Sequence, residues 1–239
     1  MLQVSVAEQA DFVLALLAAR GVARYHVLAH DYGDTVLQEL LARELEVNVG
    51  RGGDSEPGGN GPTTARMLSA VLLNGGVVPG AHRALPIQTL LAAQPWIARF
   101  VPEFAARRSL ERTFAVPQAR EELDAMVAAT YHKGGKAALG TLLAYIEERK
   151  VHEGRWVGAL RRTAVPLRFV CGAEDLISGE HMAEAFTAEV GDGADVVLLR
   201  GVGHWPQLEA PQAVVAAVRR FHREIGGVGA ADKTQDAET

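Results

Sequence analysis

The sequence lacks most features that mark secreted, membrane-spanning or nucleic-acid-binding proteins. Cysteine occurs once in 239 residues, at Cys171, so an intrachain disulfide cannot form and a disulfide-stabilised secreted domain is excluded. No apolar run is long enough for a bilayer-spanning helix, and the N-terminus lacks the basic start and apolar stretch of a signal peptide. The net charge of −5 offers no basic surface to nucleic acid. We therefore expect a cytoplasmic protein that binds a small-molecule substrate, with no nucleic-acid or membrane partner.

Short apolar segments alternate with amphipathic helical segments near both ends of the chain. The predicted strands are 25–29, 68–73, 167–171 and 195–199. The predicted helices around them are one that follows a capping box of Ser5 and Glu8, then 34–46, 179–190 and a last helix from Pro211. This alternation predicts an α/β fold with a doubly wound, mainly parallel sheet.

The middle of the chain is predicted to be entirely helical, with helices at 86–107, 119–129, 137–149 and 153–160. This segment would form a helical cap over the C-terminal edge of the sheet, where such folds bind their ligands. The predicted organisation is core 1–78, cap 79–161, core 162–225 and a disordered tail 226–239. A polar, glycine-rich loop is predicted at 49–64, and its glycine pairs do not lie between a strand and a helix as a phosphate-binding loop requires.

Asp31 lies where the first predicted strand meets the next helix. Small residues, Ala29 and Gly33, stand two positions to either side of it, which is the pattern of a nucleophile elbow. In such a turn the central residue has a strained backbone, and anything larger at the flanks would collide. An aspartate at the centre would attack carbon and form an ester. The alternative is that Asp31 only caps the helix, although Asp34 is also available as a cap.

Two further polar residues follow the later strands. Asp175 comes directly after the third predicted strand, and His204 comes after the fourth, in a glycine-rich loop. The chain order of nucleophile, acid and histidine is that of hydrolases built on such a sheet. Each residue alone is more often structural, but the three together predict a catalytic site. His204 would deprotonate the water that hydrolyses the ester, and Asp175 would fix the histidine tautomer.

Several stretches of the sequence resemble a known family. They are HDYGDTVLQELL at 30–41, LNGG at 73–76 with the nearby His82 and Arg83, RWVGAL at 155–160 and HWPQLE at 204–209. Together they resemble the epoxide hydrolase and haloalkane dehalogenase side of the α/β-hydrolase superfamily, in the group of the mesoderm-specific transcript protein and its bacterial relatives. The resemblance runs from about residue 5 to the end of the last helix. It implies a hydrolase core with a helical cap, acting on C–O or C–halogen bonds without a cofactor.

The sequence also departs from that family. Members carry four strands before the elbow, and a loop among them supplies one of two oxyanion-hole N–H groups, the other being that of the residue after the nucleophile, here Tyr32. Nothing in this chain corresponds to those strands, so we expect an α/β-hydrolase fold that lacks the first four. Either the gene continues upstream of Met1, which we favour, or the protein is truncated and depends on a partner. The strand at 25–29 would then be an exposed edge, which favours a homo-oligomer.

The residue after the nucleophile is usually tryptophan in epoxide hydrolases and dehalogenases, and here it is Tyr32. A halide site that depends on the indole of that tryptophan would be missing from this protein, which disfavours a dehalogenase. Epoxide opening needs an acid for the developing alkoxide, and the resemblance implies that cap tyrosines supply it. Tyr131 and Tyr145 lie in the predicted cap helices and are the candidates, while helix packing is the alternative for each.

The leading hypothesis is an epoxide-hydrolase-like enzyme whose catalytic residues are Asp31, Asp175 and His204. A haloalkane or ester hydrolase with the same three residues is the second hypothesis. The third is a truncated hydrolase fold that acts as a binding module. No metal site is expected, because no two histidines stand four apart on a predicted helix.

Overall fold

The computed structural model describes residues 5–50 and 65–235, with side chains for 5–47 and 65–226. At its centre is a four-stranded sheet in the order β1-β2-β3-β4, composed of β1 Arg24–His30, β2 Arg66–Leu73, β3 Leu167–Gly172 and β4 Val196–Leu199. All neighbouring strands are parallel, with Ala29 of β1 opposite Leu72 of β2. The four predicted strands and the parallel α/β fold are confirmed.

The helices, in chain order, are α1 Val6–Ala19, α2 Tyr32–Gly50, α3 Pro86–Ala93, α4 Glu103–Glu111, α5 Arg120–Tyr131, α6 Gly135–Leu142, α7 Tyr145–Val151, α8 Glu153–Arg162, α9 Glu180–Val190, α10 Pro206–Glu209 and α11 Pro211–Gln235. Short 3-10 helices cover Pro79–Ala81, Pro95–Phe100, His132–Gly134 and Gly191–Gly193. The predicted capping box begins α1: the Glu8 N–H donates to Ser5 Oγ (3.2 Å), and the Ser5 N–H donates to the Glu8 carboxylate (3.0 Å).

Apolar layers lie on both faces of the sheet. The larger layer packs Leu41 of α2 and Phe186 of α9 against Phe169 of β3, and all three are buried. The smaller layer packs Phe221 of α11 against Val170 of β3. Because Phe169 and Val170 are successive residues of one strand, their side chains point to opposite faces. Helices therefore cover both faces, which is the doubly wound arrangement that the sequence predicts.

Two helices that the sequence predicts as continuous are interrupted. The helix expected at 86–107 is divided into α3, a 3-10 helix and α4, because Pro95 and Pro102 lack the N–H that an α-helix interior needs. The helix expected at 137–149 ends at Leu142 and resumes as α7. In α6, a Cβ on Gly140 would lie 2.2 Å from the Pro95 carbonyl oxygen, so α6 is docked closely on the preceding segment. Periodicity alone does not report such docking.

The last helix of the segment between β2 and β3 packs on the core. The indole N–H of Trp156 on α8 donates to the Glu39 carboxylate of α2 (2.8 Å), and the Arg155 guanidinium donates to the same carboxylate (2.8 Å). These bonds hold the pKa of Glu39 at about 2: burial would raise it, but Arg155, Arg43 and Trp156 outweigh burial. By its contacts α8 belongs to the helical layer over the sheet.

The C-terminal helix is longer than predicted. The tail expected at 226–239 was predicted to be disordered, but α11 continues to Gln235, and residues 236–239 lie outside the described part. The loop predicted at 49–64 also lies outside that part, apart from the two residues that end α2. Within the described residues no helix has the length and apolar character needed to cross a membrane.

Candidate active site

Asp31 lies between the end of β1 and the first residue of α2, with a left-handed backbone φ of +49°. For a residue with a Cβ, this conformation costs on the order of 1 kcal/mol, so neighbouring groups must hold it. The Asp31 N–H donates to the carbonyl of Leu73 on β2 (3.1 Å), and the Asp31 carbonyl accepts from the Asp34 N–H (3.1 Å). The strained strand-to-helix turn that the sequence predicts is present.

Ala29 and Gly33 lie close together across this turn. A Cβ added to Gly33 would lie 3.6 Å from Ala29 Cβ, which is an ordinary van der Waals distance. Alanine would therefore be accommodated at this position, which agrees with the expectation that small residues flank Asp31. The turn is held by its main-chain hydrogen bonds more than by the absence of a side chain.

The Asp31 carboxylate faces the sheet edge on one side and α7 on the other. Its Oδ2 lies 3.6 Å from His204 Nε2. Its Oδ1 accepts a hydrogen bond from the Tyr145 hydroxyl (3.2 Å) and lies 3.8 Å from Arg149 Nη2. A capping aspartate would have an extended backbone and would accept from an N–H in the first turn of α2. Asp31 has a positive φ, and its side-chain partners in the described part of the chain are the groups named above.

Asp175 lies in the turn after β3 and is 3% exposed. Its Oδ2 accepts hydrogen bonds from His204 Nδ1 (2.8 Å) and from Asn74 Nδ2 (3.0 Å). Its Oδ1 accepts from the Ile177 N–H (2.8 Å). These donors fix the carboxylate, and the carboxylate in turn fixes the imidazole so that Nε2 faces Asp31. The structure thus brings Asp31, Asp175 and His204 together in the predicted order.

His204 is held by its main chain as well as by its ring. Its N–H donates to the Thr113 carbonyl (2.8 Å), and its carbonyl contacts His30 Nε2 (2.7 Å). A Cβ on the preceding Gly203 would lie 2.6 Å from the Ala115 nitrogen and 2.6 Å from the Thr113 carbonyl oxygen. Glycine is therefore required at that position, and the glycine-rich loop has a structural reason.

Asp31 and His204 shift each other's protonation. Burial raises the pKa of the Asp31 carboxyl, but the contact with His204 and the charges of His204 and Arg149 outweigh burial and hold the pKa well below its usual range. Burial lowers the pKa of His204, but its contacts with Asp175 and Asp31 raise it to about 10. At neutral pH the pair is therefore a carboxylate beside an imidazolium.

Tyr145 and Tyr131 both line the cavity in front of Asp31, but they differ in their hydrogen bonds. The Tyr145 hydroxyl donates to Asp31, whereas the Tyr131 hydroxyl donates to the Val101 carbonyl (3.2 Å). Burial, followed by the Asp31 charge, raises the pKa of Tyr145, so its hydroxyl remains a donor at neutral pH. The Tyr32 ring packs edge-on against Tyr145 with ring centres 4.9 Å apart.

The cavity has a volume of about 290 Å³ and is mostly apolar. Its polar and aromatic lining includes Asp31, Tyr32, Gln88, Tyr131, Tyr145, His204 and Trp205. Side chains from α3 to α6, such as Leu91 and Val127, form much of the opposite wall. Among the described residues that line it, none is a lysine or an arginine. The cavity therefore suits an uncharged, largely apolar molecule that reaches the Asp31 carboxylate.

Sequence reasoning missed two residues of the site. Asn74 was noticed only as part of the LNGG stretch, yet its amide orients Asp175. Arg149 was not singled out, although it stands four residues after Tyr145 and so shares a helix face with it. That spacing places both residues on one face of the helix but does not show that this face meets Asp31. In the described part of the chain, no group of three or more His, Cys, Asp or Glu side chains could hold a metal ion.

Comparison with known proteins gives the same fold. The model of a family described as the alpha/beta hydrolase family matches residues 3–218. The mesoderm-specific transcript homolog protein of Bos taurus is 34% identical over 227 residues, which cover 91% of this chain and 64% of the bovine protein. The protein LipZ of Mycobacterium tuberculosis, named as a hydrolase, is 35% identical over 217 residues, which cover 89% of this chain and 70% of LipZ. The resemblance to the α/β-hydrolase superfamily, and to the mesoderm-specific transcript protein and its bacterial relatives, is confirmed.

Solved structures of lower sequence identity have the same fold as this chain. An alpha/beta hydrolase fold protein from Burkholderia ambifaria superposes with a TM-score of 0.70 at 23% identity, covering 91% of this chain and 73% of that one. The enol-lactonase from Burkholderia xenovorans LB400 superposes with a TM-score of 0.67 at 17% identity, covering 92% and 74%. At these identities the likeness shows the fold. This chain spans 64% of the length of the bovine relative.

Proposed function

Because this chain belongs to the alpha/beta hydrolase family, we propose that it is an epoxide-hydrolase-like enzyme that opens an uncharged epoxide through an ester formed on Asp31. The observation that carries the proposal is a carboxylate at the strained elbow, with His204 Nε2 3.6 Å away and His204 Nδ1 bonded to Asp175. A carboxylate in that position needs no base to become a nucleophile, because it is already ionised.

In the first half reaction, an Asp31 oxygen attacks one epoxide carbon and the bond from that carbon to the ring oxygen breaks. The ring oxygen accepts a proton, which leaves a hydroxyalkyl ester on Asp31. We assign Tyr145 as the hydrogen-bond donor to the ring oxygen, since its hydroxyl lies 3.2 Å from the attacking carboxylate. Tyr131 would have to release the Val101 carbonyl to take the same role. The proton comes from the Tyr145 hydroxyl, which then regains one from solvent, so this half reaction does not require His204.

In the second half reaction, water hydrolyses the ester. Esterified Asp31 no longer adds its negative charge to that of Asp175, so the pKa of His204 falls, the imidazolium releases its proton to solvent and the ring can take a proton from water. The tetrahedral oxyanion would be bound by the Tyr32 N–H, which begins α2 and has no acceptor inside the helix. On collapse the leaving diol oxygen takes a proton from His204, and the Asp31 carboxyl group then gives its own proton to His204, which restores the carboxylate and the imidazolium. The sum is one epoxide and one water converted to one diol.

In this proposal the helices from α3 to α7 form the cap, without α8, which packs on α2 of the core. The cavity beneath the cap selects the substrate. Its apolar lining, with no lysine or arginine in the described part, supports an uncharged and largely apolar epoxide. A haloalkane or ester hydrolase would use the same three residues but would release halide, or an acid with an alcohol, in place of a diol. Tyr32 in the place of a tryptophan weighs against halide release.

The test is intact and peptide mass spectrometry of the His204→Gln variant after incubation with styrene oxide. We expect an adduct of one epoxide on the peptide that contains Asp31, because alkylation proceeds and hydrolysis does not. The Asp31→Asn variant should give no adduct. The matched control is His152→Gln, which changes an exposed histidine and should turn over styrene oxide like the parent protein.

Two results would contradict the proposal. Labelling of another residue with Asp31 unmodified would exclude Asp31 as the nucleophile. Diol formation by the Asp31→Asn variant would do the same. If neither styrene oxide nor a haloalkane or ester panel gives turnover or an adduct with the parent protein, a non-catalytic binding module becomes the better interpretation of this chain.

A further inference from the structure

Arg149 of α7 is 1% exposed, and its guanidinium lies against the elbow. Its Nε donates to Thr35 Oγ1 on α2 (2.7 Å). Its Nη2 donates to the Asp31 carbonyl oxygen (3.4 Å) and lies 3.8 Å from Asp31 Oδ1. The guanidinium carbon is 4.4 Å from the centre of the Tyr145 ring. One planar cation therefore contacts the main chain and the side chain of the proposed nucleophile, the first turn of α2 and the proposed hydrogen-bond donor.

A buried guanidinium needs a counter-charge, because it stays protonated and an unpaired buried cation costs several kcal/mol. In the described part of the chain, Asp31 is the carboxylate that forms a salt bridge with Arg149. His82 Nδ1 lies 3.4 Å from Nη1, but burial and then the Arg149 charge lower the pKa of His82 to about 4, so the ring is neutral. Burial and the Asp31 charge raise the pKa of Asp34 well above its usual range, and in the described part of the chain Asp34 forms no salt bridge with Arg149. The nucleophile itself balances Arg149.

We propose that Arg149 is a positioning residue that keeps the Asp31 carboxylate ionised and correctly oriented. Arg149 also favours hydrolysis of the Asp31 ester to the free carboxylate. This inference rests on the function proposed above. Formation of the ester removes the charge that balances Arg149, whereas hydrolysis of the ester restores it. Arg149 therefore destabilises the ester relative to the free enzyme, which favours the second half reaction. Its bond to the Asp31 carbonyl also supports the positive φ of the elbow.

Other groups also act on Asp31, and the test must separate them from Arg149. The titratable groups around the carboxylate are His30 on β1, Tyr32 and Asp34 on α2, His82 beside Arg149, Tyr145 on α7, and His204 after β4, with Asp175 behind His204. All of them are retained when only Arg149 is changed. A shift in the titration of Asp31 that follows the charge at position 149 is therefore attributable to Arg149.

The principal variant is Arg149→Met, which removes the charge and keeps much of the side-chain length. Carbon-13 NMR of protein labelled at aspartate carboxyls reports Asp31, whose signal is assigned by its loss in Asp31→Asn. We expect the Asp31 pKa to rise by about 1 to 3 pH units, the effect of losing a cation at this distance. The acid limb of kcat/KM for styrene oxide should move upward with it. The ester adduct should accumulate during turnover.

Arg149→Lys separates charge from geometry. In this variant the acid limb of the pH profile of kcat/KM should stay where it is in the parent protein. Its kcat should fall with KM little changed, because an ammonium cannot reach Thr35 and Asp31 together as a planar guanidinium does. The matched control is Arg168→Met, another buried arginine, whose partners are Asp195 and Glu224. It should lower stability without moving the titration of Asp31.

The inference is overturned if folded Arg149→Met titrates like the parent protein, or if Arg168→Met reproduces its shift. If Arg149→Met does not fold, Arg149→Lys decides the matter, and parent values of both kcat and the pH profile would overturn the positioning role. The NMR titration needs no turnover. If the Asp31 pKa shifts but no epoxide is hydrolysed, the charge role of Arg149 is upheld and the proposed function is overturned. If epoxide is hydrolysed but the Asp31 pKa does not shift, the proposed function is upheld and the charge role is overturned.

Discussion

The Asp175 oxygen that accepts a hydrogen bond from His204 also accepts one from Asn74, at 3.0 Å. Asn74 directly follows β2, has a left-handed φ of +45° and is fully buried. Its amide oxygen accepts from the N–H of Gly172 at the end of β3 (2.8 Å). One amide therefore joins the ends of two strands and aims the acid of the proposed triad.

Asn74→Ala should lower both stability and the rate of ester hydrolysis. The change leaves the Gly172 N–H without its partner and leaves Asp175 Oδ2 with His204 alone, and a buried donor left unpaired costs about 1 to 3 kcal/mol. Urea denaturation measures the loss. The control is Ser178→Ala, which removes a buried hydroxyl that has no hydrogen-bond partner in the described part and should change stability little. Equal losses in the two variants would show that the Asn74 bonds do not matter.

Tyr145→Phe should reduce kcat for styrene oxide on the order of 100-fold, since general-acid assistance is typically worth that much or more. Tyr131→Phe is the matched variant, because its hydroxyl donates to the Val101 carbonyl and lines the same cavity. We expect it to change kcat far less. Steady-state kinetics decide, and a larger defect in Tyr131→Phe would move the acid role to that residue.

Stability should fall as the solution becomes alkaline. The pKa of His204 is raised from 6.5 to about 10 in the folded protein, so its contribution is complete below about pH 6.5 and is lost as pH rises through about 10. In the Asp31→Asn variant one cause of the raised His204 pKa is gone. The loss of stability at alkaline pH should therefore be smaller and be complete at a lower pH. Urea denaturation between pH 6 and 10 provides the comparison. An unchanged profile in Asp31→Asn would mean that Asp31 does not raise the pKa of His204.

The sheet and the proposed triad could be predicted because their signals are local. β1 to β4 are short apolar segments, and Asp31, Asp175 and His204 each follow a strand end in a fixed chain order. Parallel strands bring those ends to one edge, so proximity in space follows from order in sequence.

The helical segment between β2 and β3 was less predictable because packing defines its elements. Pro95 and Pro102 could have indicated the breaks around the 3-10 helix, but the end of α6 depends on how Gly140 docks on the Pro95 carbonyl. Arg149 was missed for a similar reason. An arginine in an amphipathic helix is normally solvated, and only the three-dimensional path of α7 buries it beside Asp31.

Helix α7 supplies both Tyr145 and Arg149, whereas the elbow and His204 belong to the sheet edge. Any opening motion that carries α7 away from the sheet would therefore do more than widen the entrance. It would remove a proton donor and a cation from the nucleophile in the same movement, so that admission of substrate and readiness for attack become a single mechanical event. Docking of α7 against the sheet edge would then be the step that makes Asp31 ready to attack.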